Sequence, residues 1–444
     1  MRPLVFPALV RATLAGTAAA AALLAGSAAV AGAQGLPPIR PLGAVIATSA
    51  DSLGQVVTVR ALSNGGVLVN DPMDRRLVLL DSTLAHVTIV ADSTPGSANA
   101  YPGRFGGLLA YRGDSSLFVD PASMSMLVVD AGGTVARVMS VPRSQDAGFL
   151  ASPASASGFD PAGRLVYRGM LRPAMPARAP NGGFVPPEFP DSAPILRVDI
   201  ATRKVDTLAY VRIARPRMLM SRNDNGGMTV TSEIDPLPVV DDWTVLPDGS
   251  IAIVRGQDYH LEFVSPSGAL TKAPKVPYEW QRLTDDDKAA VIDSARAAME
   301  AARQAMLAQA KDRTAPGAGA PGTGAPGVVI FGGMGPGAAR GQTSGQLAPL
   351  SFVSPSELPD YRPAIVAGAT HADPDGNVWV RTSLASPAGS ASGAVYDVID
   401  STGKLVDRVQ VPSGTRIVGF GPRGSVYLLV MNGGRTRLEV ARIR

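Results

Sequence analysis

Short runs of alternating hydrophobic and polar positions, separated by turn residues, fill the stretch 371–412 and predict four strands. The first turn is Asp-Pro-Asp-Gly at 373–376, where proline presets the backbone of the first central position and glycine takes the exit. A β-prone run follows at 377–381, and an apolar run at 395–399 leads into a second turn, Asp-Ser-Thr-Gly, at 400–403. The segment after this turn alternates as a half-buried strand does, so the stretch predicts one four-stranded sheet.

Looser copies of this pattern recur along the chain. Copies of the first turn lie at 63–65, 112–114, 160–163, 247–249 and 421–424. Copies of the second turn lie at 81–83, 130–133, 199–202 and 265–268. Six first turns and five second turns predict an all-β fold, a six-bladed β-propeller whose last blade is truncated. Radial repetition of four-stranded sheets is the way in which propellers protect the edges of their sheets.

The chain ends are expected to close this ring. The blades are predicted at 55–91, 105–142, 157–212, 241–277, 371–412 and 415–444, with loops at 170–193 and 215–239 on one face or at the rim. The last blade shows three strands, and a short strand near Val45 is expected to complete it by pairing near Leu438–Ile443. Such pairing removes an open sheet edge.

The largest departure from the repeat is an insertion at 278–360. Thr284 followed by Asp287 is a capping-box signature, and it predicts a helix at 285–311 that rests on the propeller. The predicted apolar face consists of Val291, Ala295, Ala298, Met299, Ala302, Met306 and Ala310. The Ala/Pro/Gly-rich tract 312–346 has few side chains that can bury apolar area, so it is predicted to be disordered.

Residues 1–33 have the character of a cleavable signal peptide. Arg2 and Arg11 precede or enter an Ala/Leu-rich stretch that ends in Ala-Gly-Ala at 31–33, which predicts cleavage after Ala33 and a secreted or periplasmic protein. The alternative is an uncleaved membrane helix. After cleavage no membrane span is expected, and we expect a monomer.

Charge and cysteine content narrow the range of partners. The formal net charge is +4 for 444 residues, which is too weak a balance to predict nucleic acid or an anionic membrane as a partner. The chain contains no cysteine, which excludes disulfides, thiolate chemistry, cysteine-ligated zinc and lipid attachment through cysteine.

No cofactor-binding motif in the sequence lies in the structural context that it requires. Gly317–Gly322 matches the dinucleotide fingerprint literally, but a predicted helix rather than a strand precedes it. The three histidines, His86, His260 and His371, come from unlike positions in different copies of the repeat, so they predict ordinary surface or strand residues rather than a metal site. No cofactor is evident.

The ends of the second strands provide the candidate site. Arg168, Arg255 and Arg381 end this strand in blades 3, 4 and 5, while Asp71 and Asp120 end it in blades 1 and 2. Equivalent strand ends surround one mouth of a propeller, although Arg255 is one residue out of register. A small anion or an acidic peptide end is the expected ligand, because guanidinium groups bind carboxylate and phosphate bidentately. The inserted helix is a possible lid over this mouth, and the alternative is that these residues are merely solvated strand ends.

The turns D-P-D-G and D-S-T-G, set in the strands V-W-V-R and V-Y-D-V-I-D, resemble those of NHL-type and TolB-like six-bladed propellers. The resemblance covers nearly all of 40–444 except 278–360. Its gluconolactonase-like branch implies a divalent metal held in the channel by acidic and amide side chains, for which Asn70, Asp71 and Asp120 are candidates here. Its amidating-lyase branch implies channel histidines, and the three histidines here do not follow that pattern.

Two functions follow from these observations. The first is a non-enzymatic, extracytoplasmic module that binds a small anionic ligand or a protein partner. The second is a channel-metal hydrolase or lactonase. The absence of a histidine or carboxylate cluster in the sequence pattern favours the first.

Overall fold

The computed structural model describes residues 35–54, 56, 58–94, 100–101, 106–152, 156–169, 189–215, 217–222, 228–313, 350–384, 392–432 and 435–443. The predicted signal peptide, with its cleavage site, lies outside these residues. So do the Gly317–Gly322 motif and positions 314–346 of the tract that the composition predicts to be disordered. The elements below all belong to the unit Pro37–Arg444.

Two short strands precede the first blades. They are β1 (Ile39–Pro41) and β2 (Val45–Thr48). Blade 1 consists of β3 (Thr58–Ala61), β4 (Val67–Asp71), β5 (Arg76–Leu80) and β6 (Val87–Ala91). Blade 2 consists of β7 (Gly107–Ala110), β8 (Ser116–Asp120), β9 (Ser125–Val129) and β10 (Val135–Ser140). A 3-10 turn at Ser144–Asp146 and the short helix α1 (Ala147–Leu150) follow.

Blades 3 and 4 are separated by a hairpin. Blade 3 consists of β11 (Gly158–Phe159), β12 (Leu165–Arg168), β13 (Ser192–Val198) and β14 (Val205–Arg212). The hairpin strands are β15 (Arg217–Arg222) and β16 (Met228–Ile234). Blade 4 consists of β17 (Asp242–Val245), β18 (Ile251–Arg255), β19 (His260–Val264) and β20 (Leu270–Lys275).

An insertion separates blade 4 from the last two blades. It contains α2 (Asp285–Arg313), β21 (Ser351–Phe352) and a 3-10 turn at Pro355–Glu357. Blade 5 contains β22 (His371–Ala372), β23 (Val378–Arg381), β24 (Ser392–Ile399) and β25 (Leu405–Pro412). Blade 6 contains β26 (Thr415–Gly421), β27 (Ser425–Asn432) and β28 (Arg435–Arg442).

The six sheets form a ring in which the first strand of each blade is innermost. The first strands of neighbouring blades contact one another, as β3 does with both β7 and β26. The hydrophobic core lies between the blades: Val67 of blade 1 packs in one cluster with Leu429 of blade 6, and Leu117 of blade 2 packs with Tyr167 of blade 3. The six-bladed β-propeller predicted from the repeats is therefore confirmed.

The N-terminal strands close the ring in two places. As predicted, β2 completes blade 6: it pairs antiparallel with β28, with Val45 opposite Ala441 and Thr48 opposite Glu439. The sequence did not predict the second closure, in which β1 pairs parallel with β25 and gives blade 5 a fifth strand. The guanidinium of Arg40 forms an ion pair with Asp407 across this added edge.

The hairpin between blades 3 and 4 and one strand of the insertion form a small sheet outside the six blades. The stretch 215–239, predicted to be a surface loop, instead contains the hairpin β15–β16. The hairpin is extended by β21, which pairs parallel with β16 to give a three-stranded sheet. The sequence did not predict the pairing of β16 with β21, because the two strands are far apart along the chain and no short turn joins them.

The inserted helix is present, but its buried face differs from the predicted one. Thr284 and Asp287 form the capping box, with Thr284 N donating to Asp287 Oδ2 over 2.9 Å. Ile292, which the predicted face omitted, is buried against Val353 and Leu358, whereas Ala298 is exposed. The helix packs against the insertion's own 3-10 turn. No helix in the described part of the chain has the length and apolar character required to span a membrane.

Candidate functional site

The end of the second strand lies beside the start of the first strand, at the same face of the ring in every blade. Asn70 pairs with Thr58 in blade 1, and Val254 pairs with Asp242 in blade 4. Arg168 and Arg381 hold the matching position in blades 3 and 5. In each blade the first turn is closed by a backbone carbonyl, that of Arg164 or Asn377, and the arginine comes four residues later. We call this ring of equivalent positions the mouth.

Side chains at the mouth reach forward to the next blade. The Asn70 amide donates to Gly106 O of blade 2 over 2.6 Å, and its carbonyl oxygen accepts a hydrogen bond of 2.6 Å from the Tyr101 hydroxyl. Asp242 of blade 4 accepts hydrogen bonds from Ala369 N and Thr370 N, which precede blade 5, at 3.1 and 3.0 Å. The layer therefore joins neighbouring blades by polar contacts.

Arg255 faces the opposite way. It follows the mouth position by one residue, and successive side chains of a strand point to opposite faces of the sheet. Its guanidinium contacts the preceding blade, donating to Tyr210 O at 2.9 Å, and it bonds Asp241 Oδ2 at 2.7 Å and Glu262 Oε2 at 2.8 Å. Its positive charge is thus neutralised within the protein.

Asp71 shares this offset and is also engaged in contacts within the protein. It is 0% exposed, its Oδ2 accepts a hydrogen bond of 2.8 Å from Gly54 N, and Arg76 forms an ion pair with it at 3.3 Å. Asp120 caps the turn that follows its strand, accepting from Ala122 N at 2.8 Å and from the Ser123 hydroxyl. The contacts just described account for the positions of both carboxylates.

Arg168 lies at the mouth with a partly compensated charge. Its guanidinium stands over the Phe149 ring, 5.8 Å from the centroid. Burial lowers the pKa of Arg168, and the nearby carboxylate of Asp242 acts in the opposite direction. Asp242 is buried, which raises the pKa of its carboxyl group, although three backbone amides donate to it.

The positive charge of Arg381 acts on a second arginine that the sequence did not indicate, Arg416 of β26 in the next blade. Burial lowers the pKa of Arg416, and the positive charge of Arg381 lowers it further. Arg416 donates from Nη2 to Val56 O at 2.8 Å, which ties blade 6 to the segment before blade 1. Among the described residues, no carboxylate pairs with either guanidinium. Arg416 was missed because it precedes the strand predicted from Ile417.

His371 lies two residues inward from the mouth, opposite Trp379 of β23. It begins β22 and is half-buried, with its ring centroid 6.3 Å from that of Phe420 in blade 6. Desolvation lowers the pKa of His371 to about 4, and the charge of Arg416 acts in the same direction.

The structure does not gather a metal-ligand set from the described residues. No group of three or more His, Asp or Glu side chains lies close enough together there to hold a cation. Asn70, Asp71 and Asp120, the candidates for such a set, have the separate hydrogen bonds given above. The channel-metal hydrolase stays a prediction, which metal analysis of the purified protein and a lactone hydrolysis assay would test.

No family model matches the chain, and no curated protein matches it. Solved structures similar to it include a calcium-binding protein, regucalcin, from Agrobacterium tumefaciens, at 13% identity over 91% of this chain and 98% of that one, with a TM-score of 0.37. The gluconolactonase XC5397 from Xanthomonas campestris is 11% identical over 91% of this chain and 99% of its own, with a TM-score of 0.37. TolB from Acinetobacter baumannii is 12% identical over 85% of this chain and 64% of its own, with a TM-score of 0.32.

The chain is a six-bladed β-propeller. Gluconolactonase-like and TolB-like propellers are among the proteins to which it is similar. At these identities the similarity concerns the fold alone, so the function of this propeller has to be argued from its own residues.

Proposed function

We propose that this propeller binds a small oxyanion at the sector of the mouth between blades 5 and 6, with Arg381 and Arg416 as the recognising groups. The observation that carries the proposal is that the positive charges of Arg381 and Arg416, on neighbouring blades, act on one another while no carboxylate among the described residues pairs with either guanidinium. We call these two residues the mouth pair. The ligand class is a carboxylate, phosphate or sulfate group.

The electrostatics of the mouth pair favour an anion between the two side chains. Two like charges in a partly desolvated setting repel one another, and screening by salt is weaker there than on an open surface. A bound oxyanion replaces this repulsion with charge-assisted hydrogen bonds, for which the planar guanidinium is well suited. Arg255 shows the contrasting arrangement, since Asp241 and Glu262 already neutralise it.

Arg168 is proposed as a weaker contributor to the same mouth. It belongs to blade 3, and the carboxylate of Asp242 partly offsets its charge. Its contact with the Phe149 ring also fixes the side chain in place. An anion therefore gains less from Arg168 than from the mouth pair, and Arg168→Ala is expected to weaken binding less than Arg381→Ala.

The test is calorimetric titration of sulfate into the wild-type protein and the variants Arg381→Ala and Arg416→Ala at low ionic strength. Each variant is expected to bind about 10- to 100-fold more weakly, which corresponds to the roughly 1.5–3 kcal/mol of a charged hydrogen bond. The matched control is Arg437→Ala, which removes an exposed arginine from β28 of the same blade. Unchanged affinity in the double variant, or an equal loss in the control, would overturn the proposal.

Export and a monomeric state are proposals on separate grounds. The Ala-Gly-Ala motif at 31–33 supports a mature chain that begins at Gln34. N-terminal sequencing of protein recovered from outside the cytoplasm tests export and cleavage. Retention of Met1 would contradict cleavage before Gln34. Sedimentation equilibrium tests the monomeric state.

A further inference from the structure

Three aromatic side chains form a row that leads from the protein surface to the interface between blades 4 and 5. Trp280 is 40% exposed, whereas the other two tryptophans of the chain, Trp243 and Trp379, are buried. The Trp280 ring meets the Tyr278 ring edge to face with centroids 5.3 Å apart, and Tyr278 meets Tyr259 in the same way at 5.5 Å. Tyr278 is half-buried and Tyr259 is fully buried. We call Trp280, Tyr278 and Tyr259 the aromatic row.

The inner end of the aromatic row is a hydrogen bond to a buried carboxylate. The Tyr259 hydroxyl, from the turn between β18 and β19 of blade 4, donates to Asp397 Oδ2 of blade 5 over 2.8 Å. Arg408 of β25 faces Asp397 from the other side, with its Nε 3.4 Å from Asp397 Oδ1. Burial raises the pKa of Asp397, so this carboxylate is a stronger base than an exposed one.

A comparison within the molecule shows what is particular to the aromatic row. The Tyr167 hydroxyl of blade 3 also donates to a buried carboxylate, that of Asp146, at 2.7 Å. Among the described residues, however, no ring contact joins Tyr167 to another aromatic side chain. The aromatic row thus combines an exposed indole, rings in contact and a buried proton acceptor. These are the features that inward movement of an oxidising equivalent requires.

We propose that the aromatic row is a one-electron redox relay, which accepts an oxidising equivalent at Trp280 from a diffusible inorganic radical and holds it on Tyr259. The radical removes one electron from the Trp280 indole and is itself reduced. Tyr259 then gives an electron to Trp280 through the Tyr278 ring, while its phenolic proton moves to the Asp397 carboxylate. The products are a neutral Trp280, a Tyr259 phenoxyl radical and a protonated Asp397, so charge and electrons balance.

The return step uses the same groups. A small one-electron reductant such as ascorbate supplies an electron at Trp280, the electron passes to the Tyr259 phenoxyl, and the proton returns from Asp397 to the phenol. No bond between heavy atoms forms or breaks in either direction. This activity is independent of the anion site at the mouth.

The hydrogen bonds of the two tyrosines decide where the oxidising equivalent stays. A phenol loses an electron readily only when its proton can leave at the same time, and a base within hydrogen-bond reach makes this possible. Tyr259 has such a base in Asp397. The Tyr278 hydroxyl instead lies 3.5 Å from the Ser383 hydroxyl, which is not a base. Burial of Tyr259 also keeps its phenoxyl radical from coupling with a second protein molecule.

The first experiment is pulse radiolysis of the full chain in azide solution, where the azidyl radical is the one-electron oxidant. In the wild type, the indolyl absorption should decay as a phenoxyl absorption rises, with a rate constant that does not depend on protein concentration. Trp280→Phe should lose the early indolyl signal, and Tyr259→Phe should lose the long-lived phenoxyl signal. Tyr167→Phe is the matched control, because it removes an equally buried hydroxyl with a carboxylate partner and should change neither signal.

The middle of the row is tested with Tyr278→Leu, which removes the connecting ring. The indolyl radical should then lose its concentration-independent decay and persist, because electron transfer between Trp280 and Tyr259 falls steeply with the distance between donor and acceptor. A transfer that is as fast in Tyr278→Leu as in the wild type would overturn the relay. So would a long-lived phenoxyl signal that remains in Tyr259→Phe.

A second measurement uses the wild type alone. As pH falls through about 6, Asp397 takes up a proton and can no longer accept the one from Tyr259. The yield of the long-lived phenoxyl radical should therefore fall with pH, and the indolyl radical should persist in its place. In heavy water the transfer should be slower, because the phenolic proton moves with the electron. A phenoxyl yield that is the same on both sides of this pH would contradict the role of Asp397 and with it the relay.

Discussion

At the scale of single residues, one step along a strand decides whether a side chain belongs to the mouth. The sequence located the ends of these strands, because turn residues mark where a strand stops. It showed that Arg255 is one residue out of register, but not that this step turns the Arg255 side chain toward the preceding blade and onto Tyr210 O. Nor did it show that Gly54 N donates to Asp71 or that Arg416 bonds Val56 O, since these contacts join segments that are separated in sequence.

Asp397, a buried carboxyl group outside the mouth, makes stability depend on pH. It is 1% exposed and accepts a hydrogen bond of 2.8 Å from the Tyr259 hydroxyl, while Arg408 Nε lies 3.4 Å from its other oxygen. That oxygen and Arg408 Nε have no hydrogen-bond partner. Burial raises the pKa of Asp397 to about 6, although Tyr259 and Arg408 act in the opposite direction.

A carboxyl group whose pKa is raised by folding destabilises the folded state when it is ionised. As pH falls through about 6, the folded protein takes up a proton that the unfolded chain binds only near 3.8, so stability rises over this window. The difference between the folded and unfolded pKa of Asp397 corresponds to about 3 kcal/mol of unfolding free energy. Denaturant unfolding between pH 7.5 and pH 4.5 should therefore show a smaller rise in the unfolding free energy for Asp397→Asn than for the wild type.

The control for this measurement is Asp375→Asn, which changes an exposed carboxylate in a turn of the same blade. Its pH dependence should match that of the wild type. If Asp397→Asn also matches the wild type, then Asp397 is not the group that links proton uptake to folding.

At the scale of elements, the capping box located the start of the inserted helix, but the helical pattern did not identify its buried face. An alanine-rich helix presents several faces of similar hydrophobicity, so the position of the packing partner decides which one is covered. That partner, Val353 with Leu358, lies beyond the tract 314–349, and no periodicity in the helix indicates it.

Replacing the buried side chain should loosen the insertion without unfolding the blades. Ile292→Ala removes apolar contacts with Val353 and Leu358, and such truncations in a core cost roughly 2–4 kcal/mol. Hydrogen exchange should then show faster exchange along α2, with the amides of blade 1 unchanged. The matched control is Val291→Ala, which truncates the half-buried neighbour. Equal acceleration in both variants would show that the two positions contribute alike.

At the scale of the whole molecule, the repeat predicted the number of blades and the closure of blade 6 because an incomplete blade needs a fourth strand. It did not predict that β1 would add to blade 5, since that blade already had its four strands. The N-terminal segment therefore joins two blades: β1 pairs with β25, and β2 pairs with β28. Opening the ring requires both pairings to be broken.

Leu42, between β1 and β2, anchors this double closure. It is buried with Val409 and Val411 of blade 5 and with Val426 of blade 6, and its backbone N donates to Gln410 O at 2.9 Å. Leu42→Ala should lower the free energy of unfolding by about 2–4 kcal/mol, the usual cost of truncating a buried leucine. Ile46→Ala truncates a side chain of β2 that is 54% exposed, so it should change stability by less than about 0.5 kcal/mol. Denaturant unfolding followed by tryptophan fluorescence measures the stability of both variants.

Trp379 belongs to the same cluster as Leu42, so its fluorescence should report directly the loss of packing at blade 5. If Leu42→Ala is as stable as Ile46→Ala, the Leu42 side chain does not anchor the closure.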